Sequence, residues 1–276
     1  MEPPLSDTTP PIPPPLQPRG TKRSFPALRC IGALMLREMS TRYGRSPGGY
    51  AWALLEPLGG ILILSIGFSL LLRSPPLGSS FLLFYATGML PFTMYQSLAT
   101  VVAKALTFSR SLLVYPVVGW IDAILARTLL NTLTNLLVTY ILMAAILMLV
   151  DTQVLLSMGP ILLALLLSVL LGIGVGLVNC VLTGFFPVWA TVWSIVTRPL
   201  FIASGVILLY ESLPVAAQNV LWWNPLFHVT GLMRTGFFPM YDAAYVSVSY
   251  VAGVALVLIA LGLVLVRRYY KTILAR

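Results

Sequence analysis

Six long apolar stretches, separated by short connectors rich in Gly, Pro or charge, dominate this chain. An apolar run of about 18 residues or more reads as a membrane span. The pattern predicts spans at Trp52–Leu72, Phe81–Ala103, Thr128–Val150, Met158–Thr183, Val188–Tyr210 and Ala244–Val266. Ahead of them, from about Pro26, Leu28, Ile31, Met35 and Met39 share one stripe while Arg29 and Arg37 lie on another side. Such a helix suits the bilayer surface, although Leu34 and Leu36 interrupt the pattern. The connector Lys104–Arg127 is apolar in its middle but carries Pro116, Gly119 and Asp122 and is flanked by Lys104, Arg110 and Arg127. It is predicted as a short helix and turn rather than a seventh span. The expected fold class is therefore an all-α integral membrane protein with six transmembrane helices and an amino-terminal interfacial helix.

Charge decides how the spans are oriented. Lys and Arg number 7 before the first span, 3 in the connector 104–127 and 4 after Val266. The opposite side has only Arg73 and Arg234, with Arg198 inside the fifth span. Positively charged loops stay in the cytoplasm, so both termini and the connector are expected there. The net charge of +9 then records topology, and no nucleic-acid partner is expected. Of the 276 residues 58% are hydrophobic and only 9% charged, far less charge than the quarter or so of a soluble domain, which excludes soluble enzymes and solvated binding modules. Residues 1–18 hold eight prolines and no apolar core of a signal peptide. With the basic patch Arg19, Lys22 and Arg23, residues 1–25 read as a solvated, polyproline-like cytoplasmic tail; a ligand for a proline-reading domain is the alternative. Cys30 and Cys180 form no metal or disulfide pattern and are expected to be free thiols.

The candidate chemistry is sparse. No G-x-x-x-x-G-K-[ST] phosphate loop is present, so P-loop ATP hydrolysis is excluded. The single histidine, His228, has no acidic neighbour close in sequence, as a catalytic base would want. Glu56 sits at the mouth of the first span, too little for a proton relay. Gly172, Gly174 and Gly176 read as close helix packing. Arg198 lies about 15 Å into the fifth span at 1.5 Å per residue, and two readings stand: it faces a partner or cavity, or it snorkels to the headgroups. The loop 211–243 carries Trp222, Trp223, Phe227, Phe237, Phe238 and Tyr241. It is either an interfacial aromatic belt or a set of short helices that dip back against protein.

The stretch Leu36-Arg37-Glu38-Met39, Arg42-Tyr43-Gly44, Gly48, Trp52 and Glu56-Pro57 resembles the amino-terminal motif of polysaccharide-exporting ABC-transporter permeases. The order of later marks is also similar: Tyr115-Pro116, Arg198-Pro199, Ser204-Gly205, Leu213-Pro214, Asn224-Pro225-Leu226, His228 and Arg234. The resemblance is to the capsular polysaccharide export branch and covers about residues 28–276; Gly119-Trp120-Ile121-Asp122 in the connector departs from it. It implies a permease domain over 26–276 in which two copies and two cytoplasmic ABC ATPase subunits enclose one channel. This chain would hold no cofactor; ATP and Mg would be held by the ATPase. Periplasmic co-polymerase and outer-membrane export proteins would complete the route, and the cargo would be a lipid-linked anionic polysaccharide. The resemblance places ATPase coupling in 104–127, where Arg110, Tyr115, Trp120, Asp122 and Arg127 are the candidates. Short gate helices are expected in 211–243. Candidate path residues are Arg37, Arg42 and Arg45 at the cytoplasmic mouth, Arg198 within the span, and Trp222, Trp223 and Phe227 at the exit. O-antigen, teichoic acid or a drug are alternative cargoes on the same fold. An integral membrane transferase acting on lipid-linked sugar, using His228 and Glu211, and a proton-coupled carrier using Glu56 are the alternatives of other classes.

Overall fold

The computed structural model describes residues 26–43, 49, 51–113, 115, 118–150 and 156–275, with the side chains of the first helix described over 28–41. The tail 1–25, Arg45 and the side chain of Arg42 lie outside the described residues. The described residues are helical, without strands: α1 (Pro26–Tyr43), α2 (Ala51–Leu71), α3 (Phe81–Ala103), α4 (Ala105–Phe108), α5 (Trp120–Leu149), α6 (Met158–Phe185), α7 (Trp189–Ala203), a 3-10 turn (Tyr210–Ser212), α8 (Val215–Leu221), α9 (Pro225–Phe237) and α10 (Val248–Ala275). One end of the bundle, which we term the basic end, carries α1, α4 and the last turns of α10. The opposite, aromatic end carries α8 and α9.

Among the described residues, α2, α5, α6 and α10 are long and apolar enough to cross a membrane. The 23-residue α3 is long enough at 1.5 Å per residue, but Thr93, Gln96, Ser97 and Thr100 dilute its apolar character. It can carry them because its neighbours enclose it: its core includes Phe84, Leu90, Met94 and Leu98, all essentially buried.

Three predicted boundaries shift, each for a local reason. The third long helix begins at Trp120 rather than Thr128, because Asp122 Oδ2 accepts the Gly119 N–H at 3.0 Å and caps the helix there. The last runs from Val248 to Ala275, two turns past the apolar stretch, because Ile273 packs against Gly184 of α6. The fifth stops at Ala203 instead of Tyr210. There Gly205 takes φ 76°, a backbone state that only glycine adopts at no steric cost.

That break exposes carbonyls inside the bundle, where an unpaired one costs heavily. Helix α9 satisfies them side chain by side chain. Asn224 Nδ2 donates to the Ala203 carbonyl at 2.8 Å, and Thr230 Oγ1 to Ser204 at 2.8 Å. The Arg234 guanidinium donates to Val206 at 3.1 Å and Leu208 at 3.2 Å. Arg234 is wholly buried, its Cζ 4.2 Å from the centre of the Phe84 ring.

Three mid-helix glycines of α6, Gly172, Gly174 and Gly176, divide their work between two neighbours. A Cβ on Gly172 or Gly176 would come within 2.8 Å of Leu98 Cβ or 2.7 Å of Val102 Cβ on α3. One on Gly174 would meet Leu258 Cβ of α10 at 2.8 Å. Helix α6 is thus the bundle's central post, with small residues on opposite sides allowing close approach. We expect Gly176→Val to lower stability by about 1–3 kcal/mol through overpacking. Gly253→Val, where a Cβ meets nothing within 4 Å, should be near neutral. Thermal unfolding of both variants in detergent checks the contrast.

Candidate functional site: a polar half-cavity and its two ends

A cavity of about 1200 Å³ opens between α2, α3, α5, α6 and α7. Its wall is built from polar side chains at helical spacing. Thr93, Gln96, Ser97, Thr100 and Lys104 come from α3 and its C-cap; Asn131, Thr134, Asn135 and Thr139 from α5; Asn179 and Thr183 from α6; and Ser194, Thr197 and Arg198 from α7. Such i, i+3, i+4 stripes place one face of each helix toward a common space. The wall is pre-organised: Asn135 Nδ2 donates to Ser97 Oγ at 3.1 Å and to the Asn131 carbonyl at 2.8 Å, and Trp189 Nε1 donates to Asn179 Oδ1 at 2.9 Å. Thr134 and Thr197 donate to the carbonyls four residues earlier, which leaves their oxygens able to accept. The Asn179 amide nitrogen is buried without a partner. The polar part of the lining is mainly neutral hydroxyl and amide, with Glu56, Lys104 and Arg198 its charged members; the rest is apolar and includes Trp52 and Trp193.

One copy of the chain does not enclose this cavity. Trp52, Glu56, Ser194 and Arg198 line it and are exposed. Helix α7 buries only Thr197, and α2 only Pro57 and Ile61. Arg198 is among the residues that line the cavity, on a helix that its own chain scarcely covers.

At the basic end, Arg127 is not at an exposed rim. Its Nε pairs with Glu38 Oε1 at 3.1 Å, both side chains buried, and a terminal nitrogen donates to the Lys104 carbonyl at 3.2 Å. The guanidinium lies 4.1 Å over the Phe108 ring, and Asn131 Nδ2 reaches Glu38 at 3.5 Å. One ion pair thereby joins α1, the α3–α4 junction and α5. Trp120 is half-buried and stacks on Tyr270 of α10 with centroids 5.9 Å apart, while Asp122 serves as the cap of α5. Tyr115, 63% exposed, and Arg110 remain free to meet something else. Arg37 lies beside Phe108, 6.0 Å from the ring centre, outside the cavity lining. The apolar positions of α1 are turned outward, Leu28 and Leu36 more than 60% exposed, so this helix docks through Glu38 and keeps its apolar side for another surface.

At the aromatic end, Trp222, Trp223 and Phe227 lie away from the cavity and pack on one another's neighbours. Trp222 stacks on Tyr250 at 5.2 Å and meets the edge of His228 at 5.3 Å. Phe227 is buried against Tyr210 and Tyr245, and Trp223 is exposed. Both His228 nitrogens are engaged: Nδ1 accepts the Ser247 N–H at 3.2 Å, so Nε2 carries the proton and donates to the Trp222 carbonyl at 2.7 Å. Burial pushes its pKa below the usual histidine value. Glu211 accepts from the Tyr241 hydroxyl at 3.2 Å. Neither group is placed to act as a transferase base, and among the described residues no cluster of His, Cys, Asp and Glu could hold a metal ion.

The sequence reading missed the neutral wall. Its signal was present as polar residues three or four apart inside apolar spans, at 93, 96, 97 and 100 and again at 131, 134 and 135. The brace residues Asn224 and Thr230 had no such signal, because their partners are backbone carbonyls.

Residues 29–238 match the ABC-2 type transporter family. The polysialic acid transport protein KpsM of Escherichia coli is 34% identical over 237 residues, which cover 86% of this chain and 92% of that protein. The capsule polysaccharide export inner-membrane protein CtrC of Neisseria meningitidis is 30% identical over 243 residues, 88% and 92% of the two chains. Its counterpart BexB of Haemophilus influenzae is 28% identical over 244 residues, with the same coverage.

The buried pair at the basic end makes a sharp test. Removing one partner of a buried ion pair costs about 3–5 kcal/mol, whereas replacing both with apolar residues is often close to neutral. Arg127→Met alone should destabilise strongly, and adding Glu38→Met should recover much of the loss. A double-mutant cycle on unfolding in detergent measures it.

Proposed function

The chain belongs to the ABC-2 type transporter membrane family, and from that premise we propose that it is the permease subunit of an ATP-driven exporter of lipid-linked capsular polysaccharide. The observation that carries this reading is the half-cavity: a wall of hydroxyls and amides, with indoles among them, left open along α2 and α7. A hydroxyl-rich chain needs a wide and wet path, which two copies facing across α2 and α7 can enclose. Hydroxyl and amide groups exchange hydrogen bonds with sugar hydroxyls, and the indole faces offer stacking surfaces. The charge asymmetry of the loops supports placing the basic end in the cytoplasm of a multi-pass inner-membrane protein. Helices α2, α3, α5, α6 and α10 cross the bilayer. Helix α7 spans only about 22 Å at 1.5 Å per residue and is completed by the unwound segment to Leu209. Helices α8 and α9 lie back against the aromatic end as short re-entrant elements, which protein packing permits.

In this reading the ATPase, a separate subunit present in two copies, binds ATP and Mg and docks on the surface around α4 and Tyr115. Arg42 and Arg45, which precede the first span in sequence, meet the anionic lipid-linked end of the cargo. The periplasmic co-polymerase and outer-membrane exporter take the chain onward. The names of the relatives favour capsule over O-antigen, teichoic acid or a drug as cargo, and the engaged nitrogens of His228 disfavour a transferase.

The test is a strain lacking this gene and its complementation. Capsular glycan should accumulate inside the deleted strain and return to the surface with the native chain. Arg198→Leu should express well, since Leu is far cheaper than Arg in a span, yet fail to restore export. Restored export by that variant would remove Arg198 from the path, and absence of accumulated glycan would overturn the cargo.

The docking surface has its own expectation. Tyr115→Ala should weaken ATPase association by about 2 kcal/mol, as loss of an exposed aromatic anchor does, with no change in the unfolding temperature. Trp120→Ala should lower stability as well, because it also removes the stack on Tyr270. Co-purification and melting of the two variants side by side separate these effects.

A further inference from the structure

The cavity does not run the length of the bundle; on α6 its lining takes in only Asn179 and Thr183, near the basic end. From the basic end its lining reaches Pro57 on α2, Met89 on α3, Thr139 on α5 and Phe201 on α7, and goes no further. That is about 21 Å along α3 from Ala103 and about 16 Å along α7 from Ala190 at 1.5 Å per residue. The polar wall gives way there to apolar side chains. Phe201, half-exposed, meets the buried Phe92 edge to face with centroids 5.1 Å apart. The outer aromatics take no part in this closure.

We propose that Phe201, backed by Phe92, is the hydrophobic seal of the path, and that it opens by movement of the last turn of α7 about Gly205. The proposal rests on reading the cavity as the transport path. Two observations place the break after α7 next to the ring. Gly205, with φ 76°, lies four residues beyond Phe201. Gly88 of α3 lets the broken segment approach so closely that a Cβ there would stand 2.9 Å from Val206 Cα and 3.2 Å from an Arg234 nitrogen. The resting position of Phe201 is thus set by the same carbonyls that Asn224, Thr230 and Arg234 hold. A constriction lined by phenyl rings blocks ions and small solutes by excluding water, so the seal keeps the membrane tight when no cargo is present. A polymer under transport would displace it and itself fill the opening.

The experiment uses the chain bound to its ATPase in sealed vesicles loaded with a small hydrophilic anionic dye, without nucleotide. Phe201→Ala should raise dye leakage about tenfold or more above the native complex, whereas Phe201→Leu should stay tight. If the alanine variant does not assemble with the ATPase, Phe201→Asn, which wets the constriction at greater side-chain volume, carries the same expectation. Gln96→Trp, which fills the polar wall below the seal, should stop glycan export without any leak. Assembled Phe201→Ala and Phe201→Asn complexes that are as tight as the native one would overturn the seal. Leakage through Trp222→Ala with Phe201→Ala tight would move the barrier to the aromatic end and overturn it equally. Unimpaired export by Gln96→Trp would instead refute the cavity as the path, which distinguishes that failure from failure of the seal.

Discussion

A helix that stops inside a bundle leaves carbonyls that water cannot reach, and the arrangement of the aromatic end follows from satisfying them. Asn224, Thr230 and Arg234 reach from α9 and its cap onto four carbonyls at and beyond the end of α7, those of Ala203, Ser204, Val206 and Leu208. An arginine is suited to the last two, because its fork reaches two acceptors at once. Its burial is costly in turn, and the Phe84 ring face at 4.2 Å offsets part of that cost. The brace then dictates the rest: α9 must lie across the end of α7, Gly88 must lack a side chain, and His228 must lock the start of α9 to the approach of α10.

The basic end is organised by a second buried cation with opposite logic. Arg127 is paired with a carboxylate, Glu38, and so ties a surface helix to the bundle. Because Arg127 also takes the Lys104 carbonyl, any push on α1 or α4 bears on the start of α5 and the end of α3 together. Helix α3 runs from this clamp to Gly88, where it touches the brace. The two polar nodes are therefore joined by one buried helix, itself held against α6 through Gly172 and Gly176. Packed cores shift between discrete arrangements rather than deforming smoothly, which makes α3, α5, α6 and α10 a frame.

What was legible in the sequence divides along the same line. The helices that frame the bundle announced themselves as long apolar runs, and the second predicted span coincides with α3, Phe81–Ala103. Their ends were less legible where a cap or a tertiary contact decides them, as Asp122 does for α5 and Ile273 for α10. The break at Ala203 was written only as Ser204-Gly205, a weak turn signal inside an apolar run; its meaning depends on Arg234 some thirty residues on. In the connector the charged residues stand among the coupling candidates, yet charge type alone does not tell an exposed arginine from one paired with a carboxylate 89 residues away. The neutral cavity wall was overlooked for the converse reason: threonine, serine and asparagine inside spans bond back to their own helices, so they announce a face without announcing a ligand.

Against this frame α2 and α7 stand apart. Each is covered at only one or two positions by its own chain, and each presents one side to the polar cavity while its leucines and isoleucines face outward. A surface with polar and apolar stripes cannot be content in lipid on both: the polar stripe must face water or a second polar wall. On the proposed reading these two helices border the path and, along their edges, meet a second copy. Motion that widens the path need not disturb the glycine-packed post, since it can be confined to the helices with the least to lose. The terminal turn of α7 is the part of that pair which adjoins a left-handed glycine, so such a motion would be borne at the backbone break where the cavity ends.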